Sequence, residues 1–317
     1  MSTLAALLHE GAAYDAEYGN GLSNHLPMAL FALRRLGAGE ARLQAFARAY
    51  LPRLDAAPAA VAWPAGDAWP ARLGERAAWP AYRDLFTQWL AHEGAPDLLA
   101  QVLPRLMQGV GAAAFHGLVR TASALQAEQG QELADALAYW ACRWLDLGHS
   151  RARGRAADPA RLLPRLPVAA GGARLIFERM SAAAALPAFV QTVAQLRVDE
   201  STLPRLAELA ATLYARSGDF TVLHLVTSAH AMRVLLPFVE EPLPAVRAYW
   251  RAFAAGVAST DLEPDELAPP LPWERIVEFA LASDDEHVIK LVDSCREETA
   301  AYGGDAWQRA ASRLLRR

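Results

Sequence analysis

Apolar residues recur at spacings of three and four in one segment after another: 26–36, 85–90, 98–106, 133–145, 203–214, 220–236, 246–257 and 276–281. That period lines one face of a helix, and a chain that carries it so often has few folds open to it. No alternating β-branched runs joined by Asn-Gly hairpin turns stand out. Abundant alanine raises helix propensity and lets helices pack closely. The expected fold is therefore all-α, a single large helical domain over residues 1–317, with any functional site held between helices.

The punctuation agrees with this expectation. Ser23 or Asn24 can cap a helix that carries Pro27 in its first turn and stops at Gly37, and Asp219 can cap a second that ends before Pro237. Ser283 and Glu286 have capping-box spacing, so a helix is expected to start there and run through Lys290. Three stretches read as surface connections: 56–80, 151–167 and 261–272. None separates halves of different composition, and no repeat of solenoid period is present.

Charge and motifs exclude several classes. The 31 Lys and Arg residues face 35 Asp and Glu, a net charge of −4, without a basic tract. Nucleic acid is an improbable partner, because affinity for a phosphate backbone needs clustered cations. Cys142 and Cys295 lie far apart and offer neither a disulfide framework nor a thiolate zinc site. The first residues lack the basic start of a secretory signal, so the expected location is the cytoplasm. The most apolar stretch, 220–239, holds His224, His230 and Arg233, which are costly in hydrocarbon, so no membrane partner is expected. No G-x-G-x-x-G follows a strand, and neither a P-loop nor a G-x-S-x-G elbow is present. Glu240-Glu241 and Asp284-Asp285 read as solvated or capping charge rather than a glycosidase pair.

The informative residues are polar ones in greasy surroundings. His116 and His224 each sit among small or apolar neighbours. A buried imidazole needs partners for both ring nitrogens, which a metal and one hydrogen-bond acceptor supply. For any one of them the ordinary reading is a core histidine bonded to a carbonyl or hydroxyl. His25, at the start of the first clear helix, and His230 extend the set. His224 and His230 are six residues apart, about 120° around a straight helix, so they meet at one ion only if that helix is bulged or distorted near Thr227 and Ser228. His287 and Lys290 share a face. Lys290 is the single lysine of the chain. A general drift to arginine leaves such an exception where amine chemistry is required, since arginine stays protonated. The ordinary readings are a surface pair of Glu286 with Lys290 and a solvent-facing His287. Trp63, Trp69, Trp79, Tyr82 and Trp89 either line a cavity for a planar ligand or pack a core.

Four segments appear in the order and approximate spacing of a known family: residues 23–33 (SNHLPMALFAL) with 36–38 (LGA), 115–120 (FHGLVR), 223–233 (LHLVTSAHAMR) and 285–291 (DEHVIKL). The chain thereby resembles the questin oxidase-like family over most of its length, from about residue 14 to 291. The resemblance implies an oxidoreductase, a mono- or dioxygenase that opens an anthraquinone-like or other aromatic polyketide ring with O2. It also implies one non-heme Fe²⁺, or another divalent ion, held by four histidines and a lysine carboxylated on its amine by CO2. Carried onto this chain, the ligands are His25, His116, His224, His230 and Lys290. The lone lysine thus falls where the family uses an amine. A carboxylated lysine is an anionic oxygen ligand suited to a hard divalent ion, and five protein ligands leave one octahedral position open. His287, Asn24 and Thr227 are then candidates to hold the ligands in orientation. Two other readings stay open. One is an NADPH-dependent Baeyer–Villiger-type monooxygenase, although no dinucleotide motif supports NADPH. The other is a metal-free helical binding or scaffold protein. The expected partners are a small aromatic molecule and O2. The substrate-binding residues, the substrate and the oligomeric state are left undetermined.

Overall fold

The computed structural model describes residues 2–149, 154–169, 172–263, 265–267 and 269–316. Among these the chain is all-α apart from one small hairpin. In order, the elements are α1 (Thr3–Gly11), β1 (Glu17–Tyr18), β2 (Leu22–Ser23), α2 (Leu26–Leu36), α3 (Glu40–Tyr50), α4 (Trp79–Glu93), α5 (Ala95–Leu106), α6 (His116–Gln126) and α7 (Gly130–Cys142). They continue with α8 (Ile176–Ala184), α9 (Pro187–Val193), α10 (Thr202–Ser217), α11 (Phe220–Leu235), α12 (Pro242–Ala258), α13 (Trp273–Ala282), α14 (Glu286–Tyr302) and α15 (Ala306–Arg313). Buried apolar residues from Leu8 to Leu314 form one continuous core.

The hairpin is the exception to the expected pattern. β1 pairs antiparallel with β2, Tyr18 opposite Leu22, around the loop Gly19-Asn20-Gly21. Gly19 and Gly21 have φ of 53° and 87°, a conformation that suits glycine and makes a three-residue hairpin turn possible. The Asn-Gly signal is thus present, but strands of two residues carry no alternation to reveal it. Glu17 anchors the hairpin to α7. Its carboxylate accepts from Arg143 Nε at 2.7 Å, Arg76 Nε at 2.9 Å and the Tyr139 hydroxyl at 3.1 Å.

Helix ends follow local chemistry closely. α2 runs from Leu26 to Leu36 with Gly37 left-handed behind it. Asn24 Oδ1 accepts the Leu26 N–H at 3.0 Å, while His25 occupies the cap position itself. Asp219 caps α11 by accepting from Thr221 and Val222, and Pro237 falls in the short 3₁₀ turn that follows. α14 begins at Glu286 with Asp285 as its cap; Ser283 accepts from the Asp285 N–H one step earlier, so the expected capping box is replaced by two successive side-chain turns.

Residues 56–78 are irregular apart from two 3₁₀ turns, as expected of a connection, but Trp79 is fully buried and opens α4. The aromatic residues of this region stack on one another, Trp63 on Tyr82 at 4.8 Å and Tyr82 on Phe86 at 5.6 Å. Their role is packing. Residues 151–153 of one expected connection, and 264 and 268 of another, lie outside the described residues. Among the described residues no helix is long and apolar enough to cross a membrane.

Four helices position the candidate site. α2 packs on α6, α6 on α11, α11 on α14, and α14 back on α2, a closed ring assembled from chain positions far apart in sequence.

Candidate metal centre

Each helix of that ring delivers a site residue from its N-terminal end. His25 is the cap of α2, His116 the first residue of α6, His224 the fifth of α11, and His287 and Lys290 the second and fifth of α14. The rings of His25 and His116 lie 4.7 Å apart between centroids, His25 and His287 4.7 Å, His116 and His224 5.0 Å, and His224 and His287 5.4 Å. One nitrogen each of His25, His116 and His287 falls within a sphere of metal-binding size, every pair within 4.8 Å.

The backbone before His116 is unusual. Ala113, Ala114 and Phe115 all have positive φ, 46°, 55° and 70°. Non-glycine residues rarely adopt that conformation, and strain of this kind gathers at functional sites. The turn brings the Ala113 carbonyl to 2.5 Å from His116 Nδ1. His224 Nδ1 likewise meets the Phe220 carbonyl at 2.8 Å. A carbonyl only accepts, so both rings carry their proton on Nδ1 and present a bare Nε2. His116 Nε2 stands 2.8 Å from His25 Nε2, close to the roughly 3 Å that separates neighbouring nitrogens on an ion bound at about 2.1 Å.

Burial sets the protonation. Desolvation, followed by the charge of Lys290 and of neighbouring imidazoles, holds His25 and His116 well below the usual histidine range. Burial, then His116 and His287, does the same to His224. Burial lowers His287 too, against the pull of Asp285. Lys290 is only 5% exposed. Its amine is pushed down to about 7 by burial, which outweighs the through-space pull of Glu286 and Asp285. The surface pair is thereby excluded, and Glu286 faces Arg53 at 3.5 Å and His25 Nδ1 at 3.8 Å instead.

The other expected residues sit differently. His230 is buried, and its Nδ1 meets Glu298 at 2.8 Å, where Arg233 shares that carboxylate oxygen; as at His116 and His224, an acceptor on Nδ1 leaves Nε2 bare. It makes none of the ring contacts that join the other four among the described residues. The reason is helical: α11 is continuous from Phe220 to Leu235, so six residues turn His230 about 120° from His224. Asn24 braces backbone around His25 through the Asp15 carbonyl and the Leu26 N–H. Thr227 donates to the His224 carbonyl at 3.3 Å, the usual resting place of a helical threonine hydroxyl, and reaches no ring. His287, expected to orient the other residues, stands in one ring cluster with His25, His116 and His224. Glu286 was read only as a capping residue and a surface partner of Lys290, and Tyr50 was not singled out. The Tyr50 hydroxyl oxygen accepts the His25 N–H at 3.1 Å, a contact from α3 that no local pattern announces.

A cavity of about 250 Å³ opens over the cluster. His25, His116, His224 and His287 form its polar wall, Phe177 and Phe220 part of its apolar one, and Arg53, Arg174 and Glu286 its charges. Phe220 stacks edge-on against both His224 and His287, at 4.9 and 4.7 Å. Neutral imidazoles with bare nitrogens, a buried amine and an adjoining cavity form a donor set that fits a divalent ion and a small ligand beside it.

No curated protein matches the chain in a sequence comparison. The family model described as Questin oxidase-like matches residues 22–295, which includes every histidine of the cluster and Lys290, and on that match the chain belongs to the Questin oxidase-like family, a family of oxidoreductases.

Proposed function

We propose that this protein is an Fe²⁺-dependent oxygenase that uses O2 to cleave or oxygenate a small planar aromatic molecule of anthraquinone or related polyketide type. The observation that carries the reading is the convergence of three buried imidazoles and the half-buried His287 on a single cavity, with the chain's one lysine buried close enough for its charge to act on all four rings. His25, His116, His224 and Lys290 are the proposed ligands. His287 is the nearest fourth ring, and His230, expected from the family pattern, is the alternative that metal analysis separates from it. A bound ferrous ion supplies the one-electron chemistry that reaction with O2 requires.

The chain's own residues do the rest. The Ala113 and Phe220 carbonyls hold protons on Nδ1 of His116 and His224 and keep Nε2 free. The charge of Glu286 favours the His25 proton on Nδ1 in the same way. Lys290 adds CO2 through its neutral amine: the nitrogen lone pair bonds the carbon, one N–H proton leaves, and the product is an anionic carbamate. The positive ends of the helices gathered here favour an anion. Phe177 and Phe220 exclude water and offer flat apolar surface, and Arg53 at the rim suits a phenolate oxygen of the substrate.

The test is metal analysis of protein purified without a His-tag, beside ¹³C NMR in labelled bicarbonate. Near-stoichiometric iron and a carbamate signal are expected, with iron falling sharply in His224→Ala and the signal vanishing in Lys290→Arg. Folded protein that takes up no metal after anaerobic Fe²⁺ loading overturns the reading. An unchanged carbamate signal in Lys290→Arg overturns the lysine's part in it.

A further inference from the structure

Arg251 on α12 is a buried cation without a matched anion. It is 6% exposed. Its Nε donates to the Leu147 carbonyl, its guanidinium lies 5.5 Å from the centre of the Phe189 ring, and its enclosed NH1 has no partner among the described residues. A buried charge normally acquires an opposite one, because desolvation is otherwise uncompensated. The nearest acid acting on it is Asp146, which only partly offsets the burial that lowers the guanidinium's pKa.

The same side chain borders a cavity of about 300 Å³ that shares no lining residue with the one over the imidazoles. Leu243, Arg247 and Arg251 follow one another at four-residue spacing along one face of α12, and Trp250, Val193 and Leu196 supply apolar wall. No carboxylate is among the described residues that line it. Pro242 and Pro244 strip N–H groups from the start of α12, so there is no backbone cradle for a phosphate dianion. One buried guanidinium at the edge of apolar walls matches a singly charged amphiphile better.

We propose that this cavity is a second ligand site, for a hydrophobic monocarboxylate whose carboxylate pairs with Arg251 and whose body packs on Trp250, Val193 and Leu243. Isothermal titration with 1-naphthoate and its uncharged counterpart 1-naphthalenemethanol tests it. Naphthoate is expected to bind the wild-type protein at least tenfold more tightly than the alcohol, and Arg251→Met to abolish that difference. Leu243→Asp, at an exposed mouth position, removes one apolar contact from both probes and adds charge repulsion against naphthoate alone, so it is expected to weaken naphthoate about tenfold more than the alcohol, which keeps the test decisive if Arg251→Met does not fold. Arg53→Met, at the imidazole cavity, is expected to leave naphthoate binding in place. Equal affinity for the two probes, no naphthoate binding at millimolar concentration, or loss of binding in Arg53→Met alone overturns the proposal.

Discussion

His116 owes its place to the three left-handed residues before it. Each L-residue in that conformation costs about 1–2 kcal/mol. Replacing Ala114 by Gly removes that cost and adds unfolded-state entropy of about 0.4–1 kcal/mol in the other direction. The expected outcome is a net gain of up to about 1.6 kcal/mol in urea unfolding, with iron binding weakened because the turn no longer fixes the ring. His287 and His230 separate on the same assay. His287→Ala is expected to lose most of its iron. His230→Ala is expected to keep most of it and to lose stability, since Glu298 and Arg233 are left with one partner fewer. The sequence marked His116, His224 and His230 as polar residues in apolar helices, His25 at the start of the first one, and Lys290 as the only lysine. It could not show that His287 joins the ring cluster of His25, His116 and His224, because which face of a helix meets its neighbours is settled by packing.

The helices themselves were the legible part of the fold, since a cap, an apolar stripe and a stop signal act within a few residues. α2 and α11 start and end where Asn24, Gly37 and Asp219 place them. The hairpin and helices α1, α8, α9 and α15 were not legible, because elements this brief carry too little pattern, and α3 and α6 were missed too, α6 because it opens on a left-handed turn without a side-chain cap. Contacts between elements were hidden for a different reason. Gly117 lies so close to α7 that an added Cβ would stand 2.7 Å from Trp140 Cβ and 2.8 Å from its Cα. Backbone cannot step aside, so Gly117→Ala is expected to cost about 1–3 kcal/mol by overpacking. Denaturant unfolding measures the loss, and iron content falls with it because His116 is the adjacent residue. Asp219→Ala, which only uncaps α11, is expected to cost about 1 kcal/mol with little change in iron.

Across the whole molecule, Glu17 ties the hairpin to α7 and to the 3₁₀ turn that holds Arg76. Burial pushes its carboxyl up, but Arg143 and Arg76 outweigh that and hold it below the ordinary carboxylate value. The folded state therefore releases this proton more readily than the unfolded chain. Its stabilisation is complete above the ordinary carboxyl pKa and is lost as pH falls through the lower folded value. Glu17→Gln is expected to cost about 1–3 kcal/mol at pH 7, in keeping with partly exposed arginine partners. The gap to wild type should narrow as acid protonates the carboxyl, which paired urea titrations at pH 7 and pH 4 measure. By itself the sequence determined the all-α class, the main helices with their caps, and a short roster of residues able to bind a metal, because periodicity, capping and residue chemistry are local properties. Only the tertiary structure decided that α2, α6, α11 and α14 close a ring, that His287 joins it while His230 turns to Glu298, and that Arg251 is buried beside an apolar cavity. Those outcomes depend on which surfaces exclude water together, and that is a property of the folded chain as a whole.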